Sequence, residues 1–204
     1  MADAEVLAEL VTFLTPTTRL DVRRAALDQI LGISGSLDGS ASGFFLQSNV
    51  TLGKAICNLC ESSIADRTLT FAVLTNFASG SPEVSDYILS NTKVPLLAYD
   101  ACKLAAPFAA NGSKLLANLS RHSPDRIHQL LTEHDAKYME TIFELIAYDT
   151  IVFLGYIIVN VASVAAHRTL ISGFLNKVYP LLTLSDAHRE IAADILRNLA
   201  FDEG

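Results

Sequence analysis

The residues with the strongest intrinsic chemistry in this chain are three cysteines and five histidines, and their spacing limits what they can do. Cys57-Asn58-Leu59-Cys60 is a CxxC pair, a spacing that serves zinc or thiol–disulfide exchange. Zinc needs four ligands, and no second CxxC or HxxxH exists in the sequence to complete the set. Thioredoxin-like redox work needs a βαβ context, whereas the surrounding pattern is helical. The pair therefore reads as small hydrophobes packed on a helix. His122, His128 and His134 recur every six residues, but ligands on one helical face need spacings of three or four. These histidines, with His167 and His188, are expected to be solvated or to cap helix ends. The sequence holds no GxSxG, phosphate loop or HExxH, and Gly32-Ile33-Ser34-Gly35 reads as a helix end rather than a nucleophile elbow. No catalytic residue, metal or cofactor is expected, and the chain reads as a non-enzyme.

The asparagines carry a different kind of signal. An aliphatic-x-Asn-apolar-small motif reads LTNFA around Asn76, LANLS around Asn118, IVNVA around Asn160 and LRNLA around Asn198. A degenerate copy, ILGIS, places Gly32 at the Asn position. Successive centres lie 44, 42, 42 and 38 residues apart. Armadillo and HEAT units of two or three helices have periods of about 40–47 residues. Apolar residues at offsets −7, −3, −2 and +1 share one helical face around Asn76, Asn160 and Asn198, as in Phe153, Ile157, Ile158 and Val161 around Asn160. Around Asn118 the stripe is broken only at its start, by Asn111. Each motif is thus the C-terminal part of an amphipathic helix, the last of its repeat.

The punctuation recurs as well. Ser81-Pro82-Glu83 and Ser123-Pro124-Asp125 stand at the same offset after Asn76 and Asn118, each a cap, a first-turn proline and an acid. The pattern predicts an all-α, armadillo/HEAT-like right-handed solenoid of about five repeats, spanning 1–204 as one domain. Its repeats run roughly 1–38, 39–80, 81–122, 123–164 and 165–204. Gly35 to Gly43 is expected to be the loosest connection, and Pro107 to open the last helix of the third unit. Ile191, Ile195 and Leu199 are expected to lack a covering layer, as if the array continued or met a partner beyond Gly204.

Composition narrows the function. Lys plus Arg number 15 against 22 Asp plus Glu, a net charge of −7, with no basic block. That excludes the electrostatic footprint of nucleic-acid binding. MADAEVLAEL carries no cation ahead of an apolar core, so no signal peptide is read there and the sequons at Asn49, Asn111 and Asn118 are idle. Ile151 to Ala166 is 16 residues long and contains Asn160, which suits a fully buried core helix better than a membrane span of about 20 residues. The chain is expected to be cytoplasmic.

Each Asn amide could fix how neighbouring repeats stack, or a row of them could clamp the main chain of an extended peptide. If a groove binds, the residues one turn earlier share its face: Ala72, Lys114, Tyr156 and Asp194. This set is chemically mixed, and the chain has no Trp, unlike the Trp/Asn ladder of nuclear-import receptors. The candidate protein-binding residues are Asn76, Lys114, Asn118, Tyr156, Asn160, Asp194 and Asn198, with Lys114, Asn118, Tyr156 and Asn160 at the centre.

Longer stretches are similar to one eukaryotic family. ELVTFL from Glu9, DVRRAALDQILGISGS from Asp21, SKLLANLSRHS from Ser113 and HREIAADILRNLAFDEG from His188 resemble, in order and spacing, the amino-terminal part of the Hgh-type armadillo-like proteins. The resemblance implies a cytosolic chaperone or adaptor that assists folding of translation elongation factor 2 with the cytosolic chaperonin, and carries no catalytic residue across. The alternative is a scaffold that docks in another cytosolic complex, in trafficking or signalling.

Overall fold

The computed structural model describes residues 2–35 and 41–201. Among them are thirteen α-helices and no strand. These are α1 (Ala2–Val11), α2 (Leu20–Ser34), α3 (Ala41–Ser62), α4 (Arg67–Ser79), α5 (Pro82–Asn91), α6 (Val94–Lys103) and α7 (Ala109–His122). They continue as α8 (Pro124–His134), α9 (Tyr138–Leu145), α10 (Gly155–Ser163), α11 (Ala165–Ser172), α12 (Leu175–Leu181) and α13 (Asp186–Ala200). Short 3-10 segments cover Ile64–Asp66 and Asp149–Leu154.

The five motifs close α2, α4, α7, α10 and α13, and these helices pack on one another in that order. The molecule is an all-α solenoid. Its core follows from the spacing of the apolar stripe, because Leu74 and Phe77, Leu115 and Leu119, Ile158 and Val161, and Ile195 are all fully buried. Burying one such side chain contributes about 1.5–3 kcal/mol, so the stripe is the main source of stability. Two glycines let neighbouring helices approach closely, α6 to α7 and α10 to α13. A Cβ on Gly112 would stand 3.2 Å from the Ala98 carbonyl oxygen, and one on Gly155 would stand 2.8 Å from the Ile191 side chain.

Several local expectations are corrected. Ile151 to Ala166 is not one helix but a 3-10 segment, α10 and the start of α11. Ile151 is non-helical at φ −127°, ψ 19°. The 3-10 winding, at three residues per turn, shifts the phase of the stripe. Leu154 consequently turns inward, while Phe153, expected on the buried face, is 38% exposed. Ser81 caps α5 by accepting from the Val84 N–H, but the Ser123 hydroxyl instead donates to Asp86 Oδ1 at 2.6 Å. Pro107 lies in the turn before α7 rather than opening it. The expected loose connection falls partly outside the described residues, and Ala41 to Gly43 already belong to α3. That helix is broken at residues 47–50, where Ser48, Asn49 and Val50 have φ of 49°, 60° and 61°. Ile191 and Ile195 are buried and Leu199 is partly so, because α13 packs on α10 and α12.

Candidate functional site

The motif asparagines join consecutive layers. Asn118 Nδ2 donates to the Thr75 carbonyl at 3.0 Å, and Asn198 Nδ2 donates to the Val159 carbonyl at 2.9 Å. Asn160 Nδ2 reaches the Ala117 carbonyl at 3.4 Å and the Ser120 hydroxyl at 2.8 Å. In these three cases the carbonyl belongs to the residue just before the preceding motif centre. Asn76 differs because its Nδ2 donates to the Ser34 hydroxyl at 3.1 Å. A rule in the motif's last letter follows. A motif ending in Ser, as ILGIS and LANLS do, offers its hydroxyl to the next Asn, whereas one ending in Ala offers only a carbonyl.

All four asparagines are partly buried. No donor among the described residues reaches the Oδ1 of Asn118, Asn160 or Asn198, so the amide nitrogen faces the stack while the oxygen keeps free acceptor capacity.

Helices α7 and α10 bound an open cleft of about 420 Å³. Lys114, Asn118, Tyr156 and Asn160, the four residues at the centre of the sequence-based set, all line it. Thr75, Ala117, Arg121 and Phe153 complete the lining. The reason is helical geometry. Lys114, Asn118 and Arg121 are spaced by four and three along α7, and Tyr156 and Asn160 by four along α10, so each set shares one face. The 3-10 phase shift adds Phe153. Its ring lies 6.2 Å from that of Tyr156 and 5.3 Å beneath Lys114 Nζ, within cation–π range.

Asn76, Asp194 and Asn198 do not line this cleft; they sit on the helices to either side, α4 and α13. Asp194 pairs with Arg197 at 3.0 Å. Burial pushes the Tyr156 phenol up, and the neighbouring carboxylates of Glu190 and Asp194 add to the shift. Sequence reading missed Arg121, Phe153 and Glu190. Arg121 was legible from its offset of three after Asn118, on the same face, but Phe153 was hidden by the 3-10 winding.

The other chemically notable residues have structural partners. Cys57, Cys60 and Cys102 are free and buried. Burial holds all three thiols up, Cys60 to about 11 and Cys102 to about 12, so they are poor nucleophiles. The histidines are not simply solvated. His122 meets the Ser79 carbonyl, His134 pairs with Asp100 at 2.9 Å and His167 with Asp125 at 2.7 Å. His188 is buried against the Ile146 carbonyl and the Ser185 hydroxyl.

Comparison with known proteins gives a family likeness and a fold. The Protein HGH1 homolog of Xenopus laevis is 34% identical over 122 residues, which is 58% of this chain. The chain resembles the Hgh-type armadillo-like family. It spans about a third of the length of that curated relative. No family model matches the chain.

Among solved structures, a designed armadillo repeat protein, YIII(Dq)4CqI, superposes with a TM-score of 0.79 at 16% identity, covering 97% of this chain and 84% of its own. A second, YIII(Dq.V1)4CPAF in complex with the peptide (KR)4, gives 0.78 at 17% identity over 97% and 83% of the two chains. An engineered protein gives 0.79 at 20% identity over 98% and 81%. At such identities these likenesses establish the armadillo-like fold alone, and the Hgh-type likeness rests on the curated relative.

Proposed function

We propose that the chain is a non-catalytic, protein-binding solenoid that holds an extended segment of a client protein in the cleft between α7 and α10. The observation that carries this reading is the convergence of Lys114, Asn118, Tyr156 and Asn160 on one open cleft. Such a surface offers an aromatic platform, two cations and amide oxygens, which are groups suited to a polypeptide. The Hgh-type resemblance supports a finer statement. The client would be translation elongation factor 2, held in the cytoplasm in cooperation with the cytosolic chaperonin.

Affinity capture from cytosolic extract, read by mass spectrometry, tests the client. Enrichment of elongation factor 2 and chaperonin is expected. A different stable complex in their place would support a scaffold role in trafficking or signalling. Lys114→Glu combined with Tyr156→Ala tests the site. Captured client should fall several-fold. Because Tyr156 is partly buried against the core, the Lys114→Glu single variant, an exposed change that stays within about 0.5 kcal/mol, separates lost binding from lost stability. Unchanged capture by the double variant would remove the cleft from the mechanism.

A further inference from the structure

The residue one turn before each motif centre changes its chemistry from layer to layer. It is Ala72 on α4, Lys114 on α7, Tyr156 on α10 and Asp194 on α13. Those helices stack consecutively, so the order along the solenoid is small, cationic, aromatic, anionic. Neighbouring exposed positions reinforce the two charged steps. Arg121 joins Lys114 on α7, and Glu190 joins Asp194 beside the Tyr156 ring. Among the described residues, neither Lys114 nor Arg121 has a carboxylate within ion-pair distance, and Glu190 has no cation. Asp194 is already paired with Arg197, whereas Glu190 faces the Tyr156 hydroxyl and has no cation among the described residues, so its charge is the one left uncompensated.

We infer that the groove selects a mixed-charge extended segment, with an acidic residue over α7, apolar residues over Phe153 and Tyr156, and a basic residue over α13. This rests on the proposed binding role of the cleft and adds the chemistry of what is bound. Packed helices lie about 8–10 Å apart, so the two steps from α7 to α13 cover about 16–20 Å. An extended strand rises about 3.3 Å per residue, and the two partner charges therefore stand about five or six residues apart. The lysines and arginines of a uniformly basic segment would meet Lys114 and Arg121, and a uniformly acidic one would meet Glu190. Like-charge contacts of this kind are what exclude wrong partners at an interface.

Fluorescence anisotropy with labelled synthetic peptides tests the assignment. Three twelve-residue peptides share an apolar, tyrosine-containing centre and differ only at two charged positions spaced by five: Glu with Lys, Lys with Lys, and Glu with Glu. A fourth keeps Glu and Lys but brings them two residues apart. The widely spaced mixed peptide should bind about tenfold tighter than the other three at low salt, with the margin shrinking as salt rises. Lys114→Glu with Arg121→Glu should shift the preference to the Lys–Lys peptide, and Glu190→Lys should shift it to the Glu–Glu peptide. Melting curves of the variants confirm that they fold.

If all four peptides bind alike, the charge order is overturned while the cleft remains a peptide-binding site. If none binds, the inference and the binding role of the cleft fall together. If the preference stands but the charge variants do not redirect it, the segment binds elsewhere on the chain and the inference fails.

Discussion

The joint between α2 and α4 and the joint between α7 and α10 connect equivalent motif helices by different means. At the first, Gly32 stands where other motifs have Asn, and the Ser34 hydroxyl receives the Asn76 amide at 3.1 Å. The ion pair Arg23–Asp66, at 3.0 Å, adds a charged clasp with both partners buried. Arg23 also donates to the Pro16 and Thr18 carbonyls, tying the turn before α2 into the same joint. The outward positions on α4, such as Ala72 and Thr75, are uncharged. At the second joint Asn160 alone makes two inter-layer bonds, and the outward face carries Lys114, Arg121, Phe153 and Tyr156. Stacking and surface chemistry are therefore separable. The amide nitrogen and the motif serine hold layers together, while offsets of −4 and +3 are free to face a partner.

Breaking the charged clasp should give the largest effect. Asp66→Ala strands a buried guanidinium, and removing one member of a buried pair costs about 3–5 kcal/mol. Urea denaturation should show a large drop in midpoint. Asp66 Oδ1 has no partner among the described residues, so the pair is incompletely satisfied. Replacing both partners with apolar residues, Arg23→Met with Asp66→Leu, should accordingly recover most of the loss. A double variant as unstable as the single would show that the clasp works through charge.

The central joint sharpens the comparison at a smaller scale. Asn160→Ala removes two inter-layer bonds and should cost about 1–3 kcal/mol, against about 0.5–1.5 kcal/mol for Asn198→Ala, which removes one. In a chain of this size each kcal/mol lowers the melting temperature by about 2–4 °C. Equal shifts in the two variants would mean that the Ser120 hydroxyl adds nothing to Asn160.

The contrast also explains what the sequence could reveal. The period near 42 residues, the motif helices and the cleft residues Lys114, Asn118, Tyr156 and Asn160 follow from short-range spacing on a helix face. That geometry is fixed once a segment is helical. What escaped depends on departures from it or on contacts far along the chain. Phe153 is exposed because a 3-10 segment shifts its phase. Arg23 and Asp66 are 43 residues apart, and nothing local marks either as buried. His188 lies at a helix end as expected, in the first turn of α13. It is buried rather than in solvent because it reaches 42 residues back to the Ile146 carbonyl at the end of α9. A single histidine gives no warning of such a bond.

The smallest predicted effect distinguishes the joints by pH. All five histidines lie at or beyond position 122, so the α2–α4 joint contains none. Near the central joint, the His128 and His167 rings meet at a tilt with centroids 4.4 Å apart, and His128 Nδ1 meets the Tyr138 hydroxyl. Burial holds the His128 imidazole below its ordinary range and His167 adds to this, while Asp125 opposes it. A histidine with a depressed folded-state pKa favours folding when neutral. Its contribution is complete above the unfolded value of about 6.5 and is lost as pH falls through the lower folded value. Melting temperature should therefore decline slightly between pH 7.5 and 5.5, by about 2 °C or less. His128→Gln should flatten that decline, because the amide keeps a polar group there without a titration. If instead His128→Gln leaves the slope intact, the His128 site is not the source of the pH response.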